Sequence, residues 1–132
     1  MLLITKKITK TDVGTLEPIN IGLTRGDSAY IDIELLDKQK NPIELADGDI
    51  IKIQVRDKEA DGELVFEGQI ITDVIDEDYT DYYWYIRPSD TKDLELTTYY
   101  YDIEVELENG DVFTIVPTSE FTLLTDTTKK DG

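Results

Sequence analysis

The sequence predicts an all-β fold, a sandwich of about seven to nine strands. Apolar and polar residues alternate with period two along several stretches, the pattern of strands with one face buried and one in solvent. Turn-forming residues interrupt these stretches at intervals of about a dozen residues, the rhythm of a sandwich. Only residues 88–94 read as helical, and they suffice for a single turn.

One domain is expected at 19–125, preceded by an N-terminal strand or arm at 1–18 and followed by a frayed tail at 126–132. Residues 19–24 are its first strand candidate. In 28–36, Ala29, Ile31, Ile33 and Leu35 point one way, and Tyr30, Asp32 and Glu34 the other. Lys38 to Asn41 before Pro42, and then Asp47-Gly48, mark reversals. Ile51, Ile53 and Val55 alternate with Lys52, Gln54 and Arg56, and Asp61-Gly62 turns the chain again. Strands are expected at 64–71 and 82–86, then the helical turn at 88–94 with Ser89 as its cap. In 98–107, Tyr99, Tyr101, Ile103, Val105 and Leu107 form the inward set, and Tyr100, Asp102, Glu104 and Glu106 the outward one. Asn109-Gly110 supplies a tight hairpin to 112–116, and 121–124 is the last strand. The look-alike stretches ELADGD at 44–49 and ELENGD at 106–111 share turn chemistry, not a wider repeat.

Composition narrows the function. At 39% hydrophobic and 9% aromatic, the 132 residues can bury a core, which argues against disorder. With no cysteine, disulfide scaffolds, thiolate zinc sites and cysteine nucleophiles are excluded. With no histidine, the usual general base and the commonest transition-metal ligand are missing. A formal charge of −17 repels phosphate backbones, so no nucleic-acid partner is expected. That charge is uneven: residues 57–111 hold 18 acids against three bases, while 1–56 and 112–132 each carry −1. No apolar run is long enough to span a membrane, and the N-terminus lacks the order of a secretory signal.

Five features are candidates for chemistry. Asp57, Glu59 and Asp61 with Gly62 match positions one, three, five and six of a calcium loop, but its twelfth position is Gly68 and both flanks read as strands. A solvated hairpin loop is the better reading, and Asp73, Asp76, Glu77, Asp78 and Asp81 read as a charged loop of no recognised spacing. Arg25-Gly26-Asp27 spells an adhesion tripeptide but is first a turn signal. In the stretch 79–85, Trp84 belongs to the core, while Tyr83 and Tyr85, with Tyr100, are candidates for an exposed aromatic patch. Cross-strand pairing that merely stabilises a sheet is the simpler use of these tyrosines. The serines have no histidine to activate them, and among 30 acids a close carboxylate pair carries no signal, so no enzyme and no cofactor are expected.

The order of these residues resembles the immunoglobulin-like structural domains of bacteriophages. It runs from Thr24-Arg25-Gly26-Asp27 through Asn41-Pro42-Ile43-Glu44-Leu45, Gly48 to Ile53 and Gly62-Glu63-Leu64. It continues with Trp84-Tyr85-Ile86, Pro88-Ser89-Asp90-Thr91, Tyr99 to Ile103, Asn109-Gly110-Asp111 and Phe121-Thr122-Leu123. The similarity is to the N-terminal domain of upper baseplate proteins and covers roughly 19–125, with Leu96-Thr97-Thr98 where such domains often have Pro-Gly. It implies an immunoglobulin-like antiparallel β-sandwich in which Leu94, Tyr99 and Tyr101 build a tyrosine corner and Trp84, Tyr99 and Tyr101 lie in the core.

The expectation that follows is a phage or prophage virion protein of tail or baseplate type. It would act by docking to other virion proteins and to its own copies, after synthesis in the host cytoplasm. A carbohydrate-binding or adhesion module using the same tyrosines is the alternative. An acidic nucleic-acid mimic that inhibits a host protein is the third reading.

Overall fold

The computed structural model describes residues 3–6, 18–35, 45–76 and 79–125, with backbone alone at 3–6, 74–76 and 79. The sequence-predicted reversal before Pro42, the tail at 126–132, and Glu77 and Asp78 of the acidic run lie outside the described residues. The strands are β1 (Leu3–Lys6), β2 (Ile21–Thr24), β3 (Ala29–Ile33), β4 (Ile50–Arg56), β5 (Leu64–Glu67), β6 (Gln69–Asp76), β7 (Tyr79–Ile86), β8 (Thr98–Glu106) and β9 (Val112–Leu124). A four-residue helix α1 (Pro88–Thr91) joins β7 to β8.

They form a β-sandwich of two sheets. One sheet has the order β1-β3-β7-β6 and the other β2-β9-β8-β4-β5. The inner pairings are antiparallel, while β1 with β3 and β2 with β9 are parallel. Alternation explains the faces: β3 reads buried, half-buried, buried through Ala29, Ile31 and Ile33, and β8 keeps the same rhythm over nine residues. The inward sets meet in one core whose centre is aromatic. Trp84 and Tyr101 lie 5.3 Å apart, Trp84 and Phe121 5.8 Å, and Phe66 meets Phe121 edge-on at 6.0 Å.

Three expectations change. The predicted strand 64–71 divides at Gly68, and its halves belong to different sheets, β5 beside β4 and β6 beside β7. Gly68 crosses between them with its N–H donated to the Ile53 carbonyl at 2.8 Å. The predicted strands 112–116 and 121–124 are one strand, β9, whose register against β8 shifts twice near Ile103. Ile115 and Val116 are buried in succession there, which breaks the alternation that strand detection relies on. Finally, Ser89 does not cap α1. Pro88 fixes the first helical position, so the cap falls on Arg87, whose N–H donates to the Asp90 carboxylate at 2.9 Å.

Two phenols lock the first half of β8. The Tyr99 hydroxyl donates to the Glu95 carbonyl at 3.0 Å, the tyrosine corner that ties the connection to the strand it enters. Tyr101 donates to the Ile19 carbonyl, and the Ile19 N–H donates to Ser119 Oγ at 2.9 Å. Burial raises the Tyr101 phenol far above its ordinary range, so it remains a donor.

Candidate protein interface

The outward residues of β3, β7 and β6 form the face on which the sequence-predicted interface residues can be judged. Because β3 pairs with β7, Tyr30 stands opposite Tyr85 and Asp32 opposite Tyr83. On the other side of β7, Ile71 stands opposite Tyr83 and Asp73 opposite Asp81. The rings of Tyr30 and Tyr85 stack at 4.6 Å with 13° between their planes. The Tyr83 hydroxyl donates to Asp81 Oδ2 at 3.0 Å. All three tyrosines are half-buried by one another and by the sheet.

Tyr83 and Tyr85 are therefore brought together, but Tyr100 is not with them. It lies in β8 on the outer face of the opposite sheet, level with Arg56 on one side and Glu120 on the other. Tyr30 takes the third place instead. Sequence alternation already put Tyr30 on an outward face, but which strand neighbours β3 is not written in a local pattern. Trp84, Tyr99 and Tyr101 are buried.

Electrostatics distinguish the two outer faces. On the β8 side, Lys52 stands opposite Glu104 and reaches Glu106 at 3.9 Å. Burial raises the Asp102 carboxyl above its ordinary value, and the nearby Arg56 opposes that shift. On the tyrosine side, Asp32 is raised by burial and then by the charges of Asp81 and Glu34. Tyr83 is raised by burial, by its bond to Asp81 and by the charges of Asp81, Asp32 and Asp73. Tyr30 is raised by burial and by Tyr85. One face is internally neutralised in part, and the other is aromatic and electronegative.

The remaining candidates have structural employment. Asp57 Oδ1 accepts the Glu63 N–H at 2.9 Å, closing the loop that contains Glu59 and Asp61. Among the described residues no group of three or more acidic side chains is placed to hold a metal ion, so Asp57, Glu59 and Asp61 do not assemble into one. Arg25 donates to the Leu94 carbonyl at 3.0 Å and the Gly26 N–H to Thr91 Oγ1 at 2.8 Å, so the adhesion tripeptide is stitched to the segment after β7. A cleft of about 490 Å³ opens between the sheets beside β4 and β6, lined in part by Leu45, Ile51, Ile70, Thr72 and Tyr82. The Tyr82 hydroxyl at its wall accepts the Leu45 N–H at 3.1 Å. No helix among the described residues is long and apolar enough to cross a membrane.

Neither a protein-family model nor a curated protein matches the chain.

Proposed function

We propose that this chain is a structural protein of a phage or prophage virion, a tail- or baseplate-type module that works by docking to other virion proteins and to its own copies. The carrying observation is the outer face of β3, β7 and β6. There a stacked tyrosine pair, a third tyrosine and an isoleucine lie among carboxylates on a stiff sheet. Tyrosine is enriched in protein interfaces because it offers large area at low entropic cost and keeps a polar tip. The β-sandwich and the residue order from Thr24 to Leu123 support the virion assignment. In this reading no cofactor is required and no reaction is catalysed.

Co-expression with the products of the genes beside its own tests the assignment. The expected result is co-purification with a tail or baseplate component at fixed stoichiometry, together with a multimeric mass by light scattering. A monomer that binds none of those products overturns it. Binding to a glycan, lost on Tyr83→Ala without loss of folding, would replace it with the adhesion reading. Salt-sensitive capture of a basic host DNA-binding protein would replace it with mimicry.

A further inference from the structure

In an antiparallel pair, directly opposed residues bring their Cβ atoms to about 5 Å, and like charges there destabilise the sheet. Asp73 of β6 and Asp81 of β7 are such a pair. Asp32 adds to the conflict, since the charge of Asp81 acts on it. The bond that Asp81 accepts from Tyr83 does not require Asp73 or Asp32 beside it. The opposite sheet shows the ordinary remedy, with Lys52 level with Glu104 and Arg56 near Asp102. On the tyrosine face the one cation among the described residues is Arg87, at the end of β7, and Asp90 holds it at 3.0 Å. Sites that break a local rule of stability are where function is to be sought.

We propose that the outer face of β3, β7 and β6 is a receptor for a basic segment of a partner protein. Its lysine or arginine side chains settle between Asp32, Asp73 and Asp81 and against the rings of Tyr83 and the Tyr30–Tyr85 pair. Carboxylates flanking an aromatic surface suit such a guest doubly, because the ring face attracts a cation and the carboxylates bond it. A second copy docked face to face is a poor occupant, since it would set the same three aspartates against their equals. The guest is therefore a basic surface on another protein, and contacts between copies of this chain fall to its other surfaces. This rests on the docking reading given above and names the chemistry of the partner.

The test uses the whole chain, labelled with ¹⁵N and titrated with a synthetic hexalysine peptide, with hexaglutamate as control. Titrations run at about 0.01 M and about 0.15 M salt, where screening lengths are about 30 and 8 Å. Hexalysine is expected to shift the amides of Tyr30, Asp32, Asp81, Tyr83 and Tyr85 first. Asp81→Asn, which keeps an acceptor for Tyr83, should weaken binding about threefold, and Asp32→Asn/Asp81→Asn about tenfold, near 1.4 kcal/mol. Both variants should melt no lower than the parent, because a repulsion has been removed. Stability up with affinity down is a result that a purely structural role of these aspartates does not give. The inference is overturned if the shifts centre on Asp102, Glu104 and Glu106, if Glu104→Gln/Glu106→Gln weakens binding as much, or if the aspartate variants unfold. Co-assembly with virion proteins unaffected by Asp32→Asn/Asp81→Asn overturns it while leaving the virion assignment standing. Hexalysine binding at this face without any virion partner does the reverse.

Discussion

At the scale of single residues, Gly68 is held between two core side chains. A Cβ placed there would lie 2.7 Å from the Ile53 Cβ and 2.8 Å from the Trp84 Nε1, inside contact distance of two core side chains. Gly68→Ala is expected to destabilise the chain by about 1–3 kcal/mol through forced repacking, read as a lowered urea midpoint with unchanged slope. Tyr101→Phe is expected to cost about 1–2 kcal/mol, because it deprives the Ile19 carbonyl of its donor while leaving the ring in place. The two positions differ in how legible they were. Tyr101 stood in an unbroken alternating run that marked it as inward. Gly68 stood inside what reads as one strand, and nothing local says that the chain leaves one sheet there for the other. Its constraint comes from Ile53 and Trp84, 15 and 16 positions away in sequence on either side.

At the scale of elements, alternation located the strands, and turn residues located their ends wherever the turn was tight. Asn109-Gly110 is the clearest example: Gly110 has φ +97°, which a side chain would resist, and Asn109 Oδ1 accepts the Asp111 N–H at 2.9 Å. The look-alike turns at 47–48 and 109–110 share more than chemistry. Asp49 accepts from Ala46 in its own turn and from Glu108 in the other, which fixes the start of β4 against the end of β8. Hidden from local reading were the choice of strand neighbours, and hence the substitution of Tyr30 for Tyr100 on the tyrosine face. Also hidden was the use made of α1. Fully buried Thr91 accepts the Gly26 N–H, so this short helix holds the β2–β3 turn. Thr91→Val keeps the shape and loses that acceptor, and should cost about 1–3 kcal/mol in chemical denaturation. Thr91→Ser retains the hydroxyl and should recover most of that loss. A loss in Thr91→Ser with little loss in Thr91→Val would mean that the methyl packing matters, not the bond.

At the scale of the whole molecule, the −17 charge and its placement make stability depend on pH in an unusual direction. An acid whose folded pKa lies above its unfolded value binds its proton more tightly when folded. Its favourable contribution is complete below the unfolded pKa and is lost as pH rises through the folded one. Asp32 and Asp102 are both raised by burial, and for Asp32 by neighbouring carboxylates as well. Their window therefore opens at the ordinary aspartate range and extends upward. Self-repulsion among the surplus acids acts in the same sense. Calorimetry should accordingly find a higher melting temperature at about pH 4 than at about pH 7, the reverse of what proteins held by paired carboxylates show. Raising salt at pH 7 should recover part of the difference, because the repulsion is between partly exposed charges. Asp32→Asn/Asp102→Asn should flatten the slope, since asparagine does not titrate. A protein whose stability falls on the way to neutral pH gains from any cation delivered to its acidic face. Binding the basic peptide should therefore raise the melting temperature more at pH 7 than at pH 4, and an equal rise at both would separate the charge on this face from the stability it depresses.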